Sequence, residues 1–305
     1  MGEIVSVVFS QLLMMTVSMA FGYFCYKKRT FGDTSIREFA ALTMQYTIPL
    51  SIALSFKDQF RPERLGDWGM VFLLSALGFL LMILLLTLVY PRRRANYRQK
   101  RMCGLIPNNA IFGLAIAQSM FGAEGVFLMS SQIVVSNILL WTYGISVLSE
   151  KPRLRSALLN PAVLGVLAGM VLVLVPAEMP EVLLNPLRQL TGLNGPVGMM
   201  LAGGYMARID LPRCFRTPSY YWLGLCKLVL GPLLLVPFLW ALPVRPAIAL
   251  TVMIGLMAPT GTAAATFAEM VGMDNAFSSG SVAFNECACL LTIPLMIAAM
   301  LRIFG

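Results

Sequence analysis

The chain has 305 residues, 58% of them hydrophobic and only 12% charged, with a mean hydropathy of +0.78. Soluble domains carry about 25% charged and about 45–50% apolar residues, so this composition indicates an integral membrane protein and excludes a disordered chain, a coiled coil and a basic nucleic-acid binder. There is no histidine, which removes histidine catalysis and histidine metal ligation, and the net charge of +9 comes from Lys and Arg set between apolar runs, where they report topology.

A spanning helix needs about 20 mostly apolar residues. Ten spans are predicted in chain order, over 4–26, 36–56, 68–90, 102–121, 125–148, 157–176, 195–210, 219–242, 246–268 and 275–303. The first is too long for a secretory signal core and begins with Glu3 instead of a basic cluster, so it reads as a retained helix. Lys and Arg concentrate around 27–37, in the run 92–101, around 151–155 and around 208–216, and are sparse in the intervening loops. That bias places the rich loops in the cytoplasm and both termini outside it. The expectation is one multi-pass unit, 1–305, in the cytoplasmic membrane. The six cysteines lie in or beside apolar segments without a CxxC pair and read as buried free thiols.

Ten spans divide into two sets of five, 1–150 and 151–305, and an odd set inverts the second half relative to the first. At an offset of 150, Met120, Gly122 and Phe127 meet Met270, Gly272 and Phe277, and Glu124 meets Asp274. The same offset aligns two interruptions. Span four carries Ile106-Pro107-Asn108-Asn109-Ala110, and span nine carries Ala258-Pro259-Thr260-Gly261-Thr262. Each puts a helix breaker beside small polar residues inside an apolar run. Proline removes a backbone donor, and irregular backbone at membrane depth is tolerated only where protein or a wet cavity satisfies it. A half-helix that restarts after such a break presents free N–H groups and partial positive charge, which suits an anion. Pro49, Pro232, Pro237 and Pro294 lack this matched context and read as kinks.

The stretch Asn108–Gly125, NNAIFGLAIAQSMFGAEG, resembles the fourth-helix motif of the auxin efflux carrier family. The stretch from Ala258 to Pro294, with Ala-Pro-Thr, Ala268, Gly272, Asp274 and Thr292-Ile293-Pro294, is similar to that family's ninth and tenth helices. Lys227 followed by Pro232 is similar to its eighth. The resemblance implies a carrier of small organic anions, mono- or dicarboxylates, with an all-α fold of two inverted five-helix repeats. It implies that helices four and nine cross at their breaks, with Asn108, Asn109, Pro259 and Thr260 lining the crossover and Gly261 and Thr262 beside them. It also implies a scaffold of helices one, two, six and seven that dimerises, and an elevator motion between the two groups. The chain departs from the family at Ala115, where a proline is common, and at Glu286, where a small hydroxyl residue is common.

Glu286 lies about ten residues into the last span, roughly 15 Å deep at about 1.5 Å per residue. An acid there is costly and is paired, protonated or functional. It can carry a proton, bind a cation such as Na⁺ together with Asn285, or pair with Lys227 of span eight. Lys227 can instead snorkel or attract an anion. In span five, Gln132, Ser136 and Asn137 can bond to neighbouring helices or to ligand. The Arg-rich run 92–101 fixes topology and meets anionic lipid.

No GxxxxGK[ST] motif is present, so the driving force is a substrate gradient, the membrane potential or a coupled H⁺ or Na⁺, with no cofactor. The sequence therefore reads as a secondary carrier of small organic anions. A sodium-coupled symporter of the bile-acid type is the nearest alternative, and a non-transporting membrane sensor is the alternative from another class. An enzyme is not expected, because one deep carboxylate without histidine forms no catalytic constellation.

Overall fold

A computed structural model describes residues 2–59, 62–149, 159–174, 179–270, 273 and 276–304. Among them every regular element is helical. Five helices are long and apolar enough to cross a membrane: Asp33–Gln59, Arg64–Val89, Asn109–Leu148, Pro218–Ala241 and Ala276–Ile303; Pro161–Leu174 and Pro246–Met257 are shorter apolar helices. Lys151, Arg153, Arg155, Gly272 and Asp274, used above for topology and repeat matching, lie outside the described residues.

Helix α1 (Gly2–Lys27) packs along α4 (Asn194–Ala207), and α2 (Ile48–Gln59) packs along α3 (Pro161–Leu174). Lipid offers no hydrophobic drive for helix pairing, so close approach of backbones does the work. A Cβ on Gly203 would lie 1.9 Å from Met19 O, and one on Gly165 would lie 2.6 Å from Pro49 O. Polar contacts tie the segments adjoining these helices into the same group: Thr47 bonds to Asn194, Arg188 meets Asp58 at 3.3 Å, and Arg208 meets Asp33 at 2.8 Å.

The second group contains Pro62–Val89, Tyr97–Leu105, residues 109–149, Pro218–Ala241, residues 246–270 and Ala276–Phe304. Trp68 Nε1 donates to Ser130 Oγ at 3.0 Å, and Arg245 joins Asp67 and Glu124, the latter at 2.8 Å. These long-range polar contacts fall within one group or the other. Between the groups, Phe56 packs its ring on Trp68 and Phe127, with centroids 6.3 and 4.9 Å away, so this part of the seam is apolar.

Several boundaries differ from the sequence reading. Span four begins at Tyr97, not 102, so part of the basic run is helix. Arg101 is buried and donates to Tyr90 O at 2.8 Å, which corrects its assignment to a lipid-facing loop: it anchors the helix start to the preceding span. A helix over Glu181–Gly192 occupies what the spans leave as a loop; its faces are strongly amphipathic, and apolar-run counting does not register such a pattern. Span eight is broken up by a π turn at Cys226–Leu230 and again around Pro232 and Pro237. Spans four and five meet at Gly122, whose φ of +59° is a left-handed value open to glycine and ends one helix as the next begins.

Candidate functional site at the helix crossover

Both interruptions exist. In span four, helix Tyr97–Leu105 stops, residues 106–108 are irregular, and the chain resumes in a π turn at Asn109–Gly113 followed by helix from Leu114. In span nine, helix Pro246–Met257 stops and helix Ala263–Met270 resumes. The two breaks meet as a short antiparallel bridge, Pro107 opposite Thr260. Asn108 N–H donates to Pro259 O at 2.7 Å, and Gly261 N–H donates to Ile106 O at 3.0 Å. Each break thus satisfies part of the other's freed backbone. The bridge leaves no room at Gly261, where a Cβ would lie 2.9 Å from Pro107 O.

The remaining carbonyls at the end of the first half-helix are met by side chains. Thr260 Oγ1 donates to Cys103 O at 2.8 Å, and Lys227 Nζ donates to Gly104 O at 3.4 Å. A cation at a helix C-terminus is favourably placed against its dipole. The sequence expectation of a Lys227–Glu286 pair is therefore corrected for this conformation: among the described residues no ion pair joins them. Lys227 is committed to the broken end of span four because that end exposes acceptors inside the protein.

Behind the bridge, Asn285 Nδ2 donates to Thr260 Oγ1 at 2.9 Å and to Ser281 O at 2.9 Å. Glu286 is fully buried, and neither carboxyl oxygen has a hydrogen-bond partner. The Asn108 and Tyr205 side chains lie within its electrostatic reach.

In front of the bridge is a cavity of about 330 Å³. Of the residues predicted for substrate, Asn108, Asn109, Gly261, Thr262 and Asn137 line it. Pro259 and Thr260 build the bridge instead of the wall, and Glu286, Asn285 and Lys227 also lie off the lining. Asn109 and Ser136 share a side-chain bond, with Asn109 Nδ2 donating to Ser136 Oγ at 3.1 Å. Gln132 does not reach the cavity: its Nε2 donates to Val252 O at 3.1 Å, and its amide fills the space that Gly255 leaves, where a Cβ would lie 2.1 Å from Gln132 Oε1. The interhelical role considered for Gln132 is the one the geometry supports. Gln132→Leu is accordingly expected to leave the half-saturating substrate concentration unchanged and to lower the thermal midpoint, because one buried hydrogen bond of about 1 kcal/mol is lost; thermal unfolding in detergent beside flux in liposomes checks it.

Sequence reasoning missed Gln45, Trp141, Asn160 and Phe267, which also line the cavity. Asn160 Oδ1 accepts from Ala162 N–H at 2.9 Å and so caps the helix that starts at Pro161. The Asn-Pro pair was a readable start signal, whereas nothing in the pattern around Gln45 or Trp141 says which way they face. Among the described residues no cluster of three or more acidic or cysteine side chains could hold a metal.

Comparison with known proteins decides the family. The membrane transport protein family matches the chain over residues 7–153 and again over 147–297. The chain belongs to that family, the auxin efflux carriers. Its members are transporters, and the chain is a multi-pass membrane protein. No curated protein matches it. The two matched segments overlap over residues 147–153. Beside the crossover of this transporter lies a cavity whose wall mixes amide and hydroxyl side chains with a larger apolar part.

Proposed function

We propose that this membrane transporter is a secondary carrier of small organic anions. The observation that carries the reading is the bridge between two broken helices beside a cavity of about 330 Å³. Two half-helices restart at Asn109 and Ala263, and both residues line that cavity. Ala264 and Ala265 already donate to Gly261 O and Thr262 O, so anion-binding capacity without a buried cation comes from the half-helix dipoles and the remaining first-turn N–H groups. The cavity also touches Met44, Ile48 and Pro161 of the other helix group, so it lies on the seam between two bodies.

In this reading the chain makes ten spans as two inverted repeats, 1–150 and 151–305, in the cytoplasmic membrane with both termini outside. The group built on α1–α4 is a dimerising scaffold, and the crossover group slides against it in an elevator motion. The apolar contacts of Phe56 with Trp68 and Phe127 support such sliding, because apolar surfaces shift without breaking directional bonds. A monovalent anion leaving a cell at −100 mV gains about 2.3 kcal/mol, enough to drive efflux; Glu286 offers proton coupling for the opposite direction.

A second reading has one observation in its favour. Asn285 Oδ1 and both Glu286 oxygens are buried acceptors without donors, a set that hard cations use. A sodium-coupled symporter would place Na⁺ there. Flux of labelled carboxylates into liposomes containing the purified chain tests the carrier reading, and repeating it with a sodium gradient and with a proton gradient separates the couplings. A protein that binds carboxylates but moves none across the bilayer is a sensor, and the carrier reading then fails.

A further inference from the structure

We infer that helix Glu181–Gly192 is an interfacial helix, seated at the boundary between lipid headgroups and acyl chains and covered there by phospholipid. This seat requires only that the chain is a multi-pass membrane protein; it holds whatever the crossover carries.

The helix is Glu-Val-Leu-Leu-Asn-Pro-Leu-Arg-Gln-Leu-Thr-Gly, so six of its twelve residues are polar or glycine and it lacks the apolar length of a span. At about 100° per residue its surface divides in three. Glu181, Asn185, Arg188 and Gln189 form a polar face. Leu184, Leu187 and Thr191, half-buried or buried, form a second face against the first helix group. Val182, Leu183, Pro186 and Leu190 form a third, apolar and turned outward; Val182 is 82% exposed and Leu183 58%. A helix at the headgroup level meets water, protein and lipid at once, and these three faces suit the three surroundings. Low apolar content with strong segregation is the mark that separates such a helix from a spanning one.

Its neighbours set its level. Arg188 meets Asp58 at 3.3 Å, and Asp58 is the penultimate residue of α2. The helix runs at Gly192 almost directly into α4, which starts at Asn194, and it follows α3, which ends at Leu174. It is therefore tied to places where apolar helices of the bundle end. The last turn of α3 also turns apolar side chains outward, with Leu174 80% exposed, so the lipid-facing surface reaches the segment that leads into the helix. Pro186 removes the N–H that would meet Val182 O. A carbonyl freed on an outward face is penalised in hydrocarbon but not at the headgroups, where water reaches it.

A second copy of the chain is the rival cover. Four outward side chains on one short helix fall well below the roughly 800 Å² per partner that a stable interface buries, which favours lipid.

The test compares Val182→Cys and Gln189→Cys in the full chain, labelled with the fluorophore NBD in liposomes of phosphatidylcholine and phosphatidylglycerol. Quenchers are iodide on both sides of the bilayer and lipids carrying a nitroxide high or low on the acyl chain; the parent chain, labelled alike, gives the background from its own thiols. The label at 182 is expected to emit to the blue of that at 189, to lose iodide quenching, and to be quenched more by the shallow nitroxide than by the deep one. The label at 189 is expected to keep its iodide quenching. Equal iodide quenching at both positions puts the outward face in water and overturns the inference, and stronger quenching at 182 by the deep nitroxide overturns it by placing the helix within the hydrocarbon. A label at 182 shielded from iodide and nitroxide alike, or cross-linking of Val182→Cys to a second copy, gives the face a protein cover and also overturns it. Leu190→Cys repeats the measurement on the same face should Val182→Cys fail to insert. Absence of carboxylate flux would leave this result standing, so the two readings fail separately.

Discussion

Gly261→Val is expected to lower transport about ten- to a hundredfold while the protein remains in the membrane. The bridge between the breaks brings Gly261 so close to span four that even a Cβ would lie 2.9 Å from Pro107 O and 3.2 Å from Pro107 C. These are backbone atoms of a proline, which cannot rotate away. Valine adds two methyl groups beyond that Cβ. Overpacking of this kind costs about 1–3 kcal/mol, and because about 1.4 kcal/mol is a factor of ten, the bonded crossover loses most of its population. The bonds at risk are Gly261 N–H to Ile106 O and Asn108 N–H to Pro259 O. The helices on either side keep their own packing, so insertion and thermal stability should fall far less than flux. Flux and thermal unfolding measured on one preparation check this. Parent-like flux in Gly261→Val would show that the bridge is not part of the transport machinery.

Glu286→Gln has the second large effect. The carboxyl is fully buried, both oxygens lack partners, and the groups facing it are Asn108 of the first break and Tyr205 of the neighbouring helix. Ionising an acid there is costly, since burial strips its water and, among the described residues, no ion pair meets the charge, so proton binding and the conformation of the crossover are linked. If a proton moves with the anion, uptake by the parent rises as external pH falls and declines as it rises. A one-unit inward proton gradient is worth about 1.4 kcal/mol, or about tenfold accumulation per proton. Glutamine keeps the volume and one acceptor but cannot release a proton. Uptake by Glu286→Gln should be flat with pH and lose that accumulation, while downhill exchange and the half-saturating substrate concentration persist. A parent-like pH profile in Glu286→Gln would remove the proton role and favour the cation reading of the same oxygens.

Much of this was legible in the sequence, and the reason lies in which signals act locally. Pro107 and Pro259 break helices through their own missing donors, so both interruptions could be read from composition alone, as could their correspondence at a fixed offset. The low charge and the long apolar runs named the environment. What could not be read is which element satisfies which freed group. Lys227 and Glu286 looked like natural partners because both are deep charges, yet the unsatisfied carbonyl of Gly104 captured the lysine. Gln132 and Asn137 looked equivalent as amides of one apolar helix, but Gly255 on a neighbouring helix leaves room for one of them, and only the other lines the cavity. Trp141 and Gln45 carry no local mark at all; their importance comes from facing a seam between elements distant in sequence.

The central claim is that the crossover cavity carries an organic anion across the membrane. Counterflow tests it most directly: liposomes holding the purified chain are loaded with unlabelled phenylacetate, diluted into trace labelled phenylacetate without any ion gradient, and followed for transient accumulation. The account predicts an overshoot of label in liposomes with the parent chain, reduced at least tenfold in Gly261→Val. Label that only equilibrates, at the same rate as in empty liposomes and for every carboxylate tried, would contradict it.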